Sequence, residues 1–482
     1  GPWYNKTVGG TVYADWLFSV IHNIKLIYEA SMDRNNTYKP APLSPMRLIL
    51  AGYSLIIVIG TVLLMTPYST RSGVSPTILE ALFTATSATC VTGLIVHDTW
   101  RFWSTFGQIV ILLLIEIGGL GFLTFAVLAA TFTRKRIGLR ERMTMQESIN
   151  APQLGGIVRM TRFIIFGSFS VQGIAALLYA TRFVPRFGWG RGIWYSVFHA
   201  ISFFCNAGFD LMGEYAPCSS LMSWQNDFVV NVVTMGLIEL GGLGYFVWVD
   251  LRDNRAHFKR YKLHTKLVLF TTAVLIVLPA LMILIFEYHG KAFAGFNFWG
   301  KLQAAFFQSI TTRTAGVNTV KLAAMTDQSV LLMTVLMLIG GSPGSTAGGM
   351  KTTTAALFIL IVFSVMRRRR AVEVFGRRVP DQTVRNAVCV VASVIVVFLL
   401  STMLLCAFDG LPMRKAMFEV ASACSTVGLT LGITGSLSTA SKLLIILLMF
   451  FGRVGSLTIL YAFSEAYEPP ASKFPEAPVI IG

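Results

Sequence analysis

A phenylalanine, nine residues and a glycine recur at four matched places in this 482-residue chain, about 110 residues apart. Each copy stands between two apolar runs of membrane length. The copies are Phe83 to Gly93, Phe198 to Gly208, Phe306 to Gly316 and Phe418 to Gly428, and their glycines lie 115, 108 and 112 residues apart. A period of about 110 residues marks one unit repeated four times, since sequence similarity at a fixed spacing reflects one supersecondary unit built again and again.

Each unit has the same parts. A long apolar run opens it, at 48–65, 163–183, 267–286 and 387–408. As helices these cross a hydrocarbon layer of roughly 30 Å. A mildly polar helical stretch too short to span follows, such as 76–87 or 411–423. The glycine segment comes next, and a second apolar run closes the unit, at 106–131, 228–249, 330–366 and 443–463. This order predicts an all-α integral membrane protein of four tandem helix–pore helix–helix repeats in pseudo-fourfold arrangement. It has eight spanning helices and four pore helices, in repeats 46–133, 134–250, 251–366 and 367–466. Segments 1–45 and 467–482 flank them and read as cytoplasmic.

Charge agrees with that reading. Charged residues are 13% of the chain and hydrophobic residues 54%, where a soluble protein carries roughly a quarter charged. The net charge of +17 raises nucleic acid as a partner, but the basic residues are divided among three loops between apolar runs. One holds Arg134, Lys135, Arg136, Arg140, Arg142, Arg159 and Arg162. The second holds Arg252, Arg255, Lys259, Arg260, Lys262 and Lys266. The third holds Arg367, Arg368, Arg369, Arg370, Arg377, Arg378 and Arg385. Lipid headgroups and the positive-inside rule account for these loops better than nucleic acid does. They read as cytoplasmic, with the glycine segments open to the outside, both termini inside, and a docking surface for a cytoplasmic partner as an addition.

The N-terminal apolar stretch 16–28 is too short for a signal peptide and is interrupted by His22, Asn23 and Lys25. Trp16, Leu17, Val20, Ile21, Ile24 and Ile27 keep helical spacing. They form either an amphipathic helix on the inner membrane surface or a partner-binding helix. Six cysteines occur without a CxxC pair or a His/Cys cluster, so neither a disulfide framework nor a metal centre is expected.

A bare cation in a membrane needs oxygens to replace its water. Backbone carbonyls supply them when the chain is extended and all carbonyls face one axis, and glycine tolerates the dihedrals this needs. The four segments are Cys90, Val91, Thr92, Gly93; Cys205, Asn206, Ala207, Gly208; Arg313, Thr314, Ala315, Gly316; and Ser425, Thr426, Val427, Gly428. Carbonyls rather than side chains should carry the ion, so the side chains are free to differ. The pore helices end just before these segments and point their partial negative charge at the centre. The bland alternative is that the glycines only let helices pack closely.

The third closing run is interrupted by Gly340, Gly341, Ser342, Pro343, Gly344, Ser345, Thr346, Ala347, Gly348, Gly349, Met350 and Lys351. Such a sequence does not hold a helix, and irregular backbone at membrane depth must be buried in protein or line water. Gly118, Gly241, Gly340 and Gly452 follow the filter glycines of their repeats by 25, 33, 24 and 24 residues. The loop is therefore expected just below the filter, as an obstruction. Arg453 stands at the same depth. It contacts the loop carbonyls, sets a positive barrier, snorkels, or pairs with Glu116 or Glu239. Those two acids, each two residues before a matching glycine, are either ion-coupling sites or buried hydrogen-bonding groups. Residues 344–352 nearly spell a phosphate loop, but Met350 separates Gly349 from Lys351 and no strand precedes.

The segments ending Val91-Thr92-Gly93-Leu94, Asn206-Ala207-Gly208-Phe209, Arg313-Thr314-Ala315-Gly316 and Thr426-Val427-Gly428-Leu429 resemble the filter strands of the Trk/Ktr/HKT superfamily of potassium transporters. The stretch Glu116-Ile117-Gly118-Gly119-Leu120-Gly121-Phe122 and the loop 135–147 are similar to the Ktr membrane, pore-forming subunit. The resemblance runs from about Pro45 onward. It implies potassium carried by the filter carbonyls, no covalent cofactor, and an intramembrane gating loop at 340–351. It also implies a homodimer in the bacterial cytoplasmic membrane and a cytoplasmic RCK-type nucleotide-binding regulatory ring, with the nucleotide on that partner. Some HKT members carry Ser in place of the first filter glycine and prefer sodium; Gly93 argues for potassium.

These observations imply a potassium-selective, channel-like uptake protein. A sodium- or proton-coupled symporter using Glu116 or Glu239 is the first rival. A non-conducting sensor is another, and a membrane-embedded enzyme has no HExxH, nucleophile elbow or clustered acid pair to support it.

Overall fold

A computed structural model describes residues 45–121, 157–255, 257–369 and 371–463. The N-terminal amphipathic stretch, the first basic loop from Arg134 to Arg142, Arg370 and the tail lie outside the described residues.

The first repeat contains α1 (Pro45–Leu64), α2 (Ile78–Thr89) and α3 (Thr105–Leu120). The second contains α4 (Ile157–Phe187), α5 (Trp189–Phe204), α6 (Phe228–Gly242) and α7 (Tyr245–Asn254). The third contains α8 (Leu263–Glu287), α9 (Phe298–Thr311), α10 (Asp327–Leu338) and α11 (Thr352–Met366). The fourth contains α12 (Asp381–Asp409), α13 (Met413–Cys424), α14 (Thr439–Val454) and α15 (Ser456–Phe463).

Local sequence sets the starts. Thr77 and Glu80 form a capping box on α2, and Asn297 accepts the Gly300 amide of α9 at 2.7 Å, which satisfies donors that a helix leaves unpaired. The opening helices α1, α4, α8 and α12 are long and apolar enough to cross a membrane. Their outward faces are apolar too, as Leu55, Val58 and Val62 on α1 and Leu399, Leu400 and Met403 on α12 show. Helices apolar on the exposed face belong in lipid.

The closing helices differ from the continuous runs expected. α6 and α7 meet at a 95° bend, and α14 and α15 at 93°. The breaks fall at Gly244, φ +88°, and Gly455, φ +90°, and α3 stops at Gly121, φ +84°. Each lies three residues after Gly118, Gly241 or Gly452. A glycine lacks the Cβ that penalises positive φ, so the chain turns there. The third repeat is thus not alone in its interruption. Among the described residues four helices are long enough to span, and six if each bent pair is one span.

A second correction concerns register. Phe83, Phe198 and Phe418 are fully buried, but in the third repeat the fully buried ring is Phe307, not Phe306. Two adjacent phenylalanines left the sequence interval ambiguous, and the buried face of α9 selects the second. Finally, the third basic loop is not wholly irregular. It carries a two-stranded antiparallel hairpin, β1 (Glu373–Val374) and β2 (Arg377–Arg378), turned through Phe375 and Gly376 at positive φ, as two-residue hairpin turns require.

Candidate functional site

The four glycine segments meet in a closed ring. A Cβ built on Gly93 would come within 3.0 Å of the Ala207 carbonyl oxygen, one on Gly208 would sit 3.0 Å from that of Ala315, one on Gly316 2.6 Å from that of Val427, and one on Gly428 within 3.0 Å of that of Thr92. The neighbours run from repeat one to two, three, four and back to one. A side chain at Gly93, Gly316 or Gly428 would overlap a neighbouring carbonyl, and one at Gly208 would crowd it.

Backbone geometry repeats as well. The ring glycines have φ of +88°, +70°, +75° and +95°, and the residues two before them, Val91, Asn206, Thr314 and Thr426, have +57°, +60°, +67° and +54°. Four non-glycine residues in the left-handed region at one matched position are a costly arrangement. The short helices α2, α5, α9 and α13 hold it. The amides of Thr92, Ala207 and Val427 donate to the carbonyls of Ser87, Ser202 and Ser422 at 2.8, 2.8 and 2.7 Å, and that of Ala315 to Thr311 at 3.0 Å. Ser87 and Ser422 hydroxyls also accept the Gly93 and Gly428 amides at 3.1 and 2.9 Å. Amides are thereby taken up by protein.

Behind the ring, Gly118, Gly241 and Gly452 press on the last carbonyls of α2, α5 and α13. A Cβ on each would overlap the oxygen of Thr89, Phe204 or Cys424. Gly340 differs: its Cβ would meet Gly348 of its own loop. The loop 340–351 occupies the space beside these ends. Ser342 and Thr346 amides donate to the Gly242 and Gly241 carbonyls at 2.9 and 3.2 Å, and Gly349 to Gly452 at 3.1 Å. The Thr346 hydroxyl donates to Phe204 at 3.2 Å, and Tyr245 donates its amide to Gly344 at 2.7 Å. Gly340 bonds Met350, Thr352 bonds Gly341, and Lys351 Nζ donates to Ala347 at 2.8 Å, which closes the loop on itself. Gly348 and Gly349 lie against Thr426 and Ser425 of the fourth strand. Pro343 and Ser345 complete the loop, beside a cavity of about 430 Å³ lined also by Tyr53, Tyr245, Lys351, Asn386 and Arg453.

Arg453 donates to the carbonyls of Thr346 and Gly118, and to Gly119 at 3.0 Å. It contacts loop carbonyls, one of the expected alternatives, and it pairs with neither acid. Helix ends leave carbonyls without partners, and here the loop and Arg453 satisfy those of α3, α6 and α14. Glu116 and Glu239 are instead hydrogen-bonded to Gln172 and Cys205 and to Arg313. Among the described residues no His/Cys/Asp/Glu group suits a metal ion, and Cys90 is simply buried.

The thrice-repeated Gly-x-x-Gly at 118–121, 241–244 and 452–455 was the available signal for the bends. No sequence signal paired Arg313 with Glu239, which are 74 residues apart.

Comparison with known proteins gives the family. The cation transport protein family TrkH matches residues 33–473. The Ktr system potassium uptake protein B of Bacillus subtilis is 39% identical over 453 residues, 94% of this chain and 100% of that one. The potassium/sodium uptake protein NtpJ of Enterococcus hirae is 37% identical, over 91% of this chain and 98% of its own. The crystal structure of the potassium transporter TrkH from Vibrio parahaemolyticus matches with a TM-score of 0.70 at 18% identity, covering 89% of this chain and 87% of that one, and shows the same fold. With a glycine ring, broken closing (inner) helices and similarity along nearly its whole length, the chain belongs to the TrkH family of cation transport proteins, and is a membrane transporter rather than an enzyme.

Proposed function

We propose that the chain is a potassium-selective, channel-like uptake protein of the bacterial plasma membrane, with its four repeats as helix–pore helix–helix units about one pseudo-fourfold pore. The observation that carries this is the closed ring of Gly93, Gly208, Gly316 and Gly428, each approaching the next strand's carbonyl. In this reading the carbonyls of 90–93, 205–208, 313–316 and 425–428 replace the water of a potassium ion. The membrane potential supplies about 2.3 kcal/mol per charge per 100 mV for entry. The loop 340–351 and Arg453 form the gate, since they tie the inner-helix ends together under the ring.

The basic loops face the cytoplasm, with both termini. The relatives named as Ktr system proteins support a second component. We assign to it a cytoplasmic nucleotide-binding ring that docks on those loops and biases the gate, with two copies of this chain as a homodimer, each with its own pore.

Ion flux into liposomes holding the purified chain tests the filter. Potassium and rubidium should pass while sodium and lithium lag, and Gly316→Ser should lose that preference. A second reading, joint potassium and sodium uptake, draws on the relative named for both ions. Equal sodium passage before and after the substitution would favour it.

A further inference from the structure

The inner-helix position two residues ahead of the packing glycine carries an acid in two repeats, Glu116 and Glu239. Each reaches past its own filter strand to that of the next repeat, and to the same place on it, three residues before the ring glycine. Glu239 pairs with Arg313. Glu116 accepts a hydrogen bond from the Cys205 thiol at 3.3 Å, while Gln172 Nε2 donates to both its oxygens at 3.2 and 3.0 Å. Leu338 and Phe450 hold the corresponding positions in the other two repeats, so only the second and third strands are tied this way.

Arg313 makes the third strand the demanding case. Its side chain is 3% exposed, and among the described residues Nε and Nη1 have no partner. A guanidinium three residues from the ring glycine opposes an entering cation unless a carboxylate offsets it, because charge interactions strengthen away from water. Removing one partner of such a pair leaves an uncompensated charge, whereas removing both does not.

We propose that Glu239 and Glu116 are positioning residues for ion selection. Glu239 neutralises and anchors Arg313 and so holds the third strand in register; Glu116 anchors the second strand through Cys205. This rests on the ring being the filter.

The test is rubidium and sodium influx into liposomes holding the full chain, comparing wild type, Glu239→Gln, Glu116→Gln, the double variant Glu239→Gln with Arg313→Gln, and Gly316→Ser. Glu239→Gln should raise the half-saturating rubidium concentration and lower the rubidium-to-sodium rate ratio, each by about tenfold. The double variant should restore the half-saturating concentration, since no lone charge remains, yet keep the lowered ratio because the strand is no longer held. Glu116→Gln should lower the ratio alone. If Gly316→Ser destroys the ratio while the glutamate variants retain it, the positioning role is overturned and the filter stands. A ratio that survives Gly316→Ser removes the filter reading itself. Should Glu239→Gln fail to fold, the double variant decides: a wild-type ratio there refutes the proposal.

Discussion

The guanidinium of Arg453, in the last turn of α14, caps the Gly118 carbonyl near the end of α3. It thereby joins the fourth repeat to the first, and its second contact, to Thr346, joins both to the loop. The ends of α3, α6 and α14 share one set of hydrogen bonds, so the loop cannot leave without exposing carbonyls that need new partners.

Arg453→Ala should raise cation flux. A hydrogen bond to a charged group contributes about 1.5–3 kcal/mol, so losing even one shifts a closed-to-open equilibrium by about tenfold or more. Rubidium influx per reconstituted protein measures it, and an unchanged rate at normal expression would count against the gate.

Gly241→Ala should destabilise the protein by about 1–3 kcal/mol, the cost of forcing a methyl into a packed site. The added Cβ overlaps the Phe204 carbonyl, whereas one on Gly236 of the same helix meets nothing within 4 Å. Gly236→Ala is therefore the matched control, and the pair is compared by thermal unfolding in detergent.

The third-repeat register is testable directly. Phe307 is fully buried and Phe306 is not. Phe307→Ala should cost about 3–5 kcal/mol, as large aromatic truncations in cores do, and Phe306→Ala clearly less. Equal losses in Tm would restore the ten-residue interval read from the sequence.

External pH should matter through Asp210, two residues beyond Gly208. Withdrawal from water pushes its carboxyl up to about 7, the Met212 amide opposes that rise and Asp98 adds to it. The group is neutral below that value and negative above it. Cation uptake at sub-saturating concentration should therefore climb as the outer pH rises through about 7. Asp210→Asn should give a flat, low profile over the same range.

Much of this is legible in the sequence. A period of about 110 residues, apolar runs of spanning length and the matched glycines all follow from composition and spacing, because each reflects a local requirement: length against the bilayer, or a backbone that only glycine permits. Gly340 to Lys351 was equally plain as a break, since proline and glycine exclude a helix wherever they fall. Other features depended on what lay across the fold. Whether Phe306 or Phe307 faced inward depended on the packing of α9, not on the interval. Gly244 and Gly455 turn the chain, and α3 ends at Gly121, where continuous apolar sequence allowed a straight helix, and the loop and Arg453 take up the carbonyls that these breaks expose. The partners of Arg453 and Arg313 were open for the same reason. A charge among apolar runs must find an oxygen, which the sequence shows; which oxygen is within reach is decided only when the four glycine segments close into a ring.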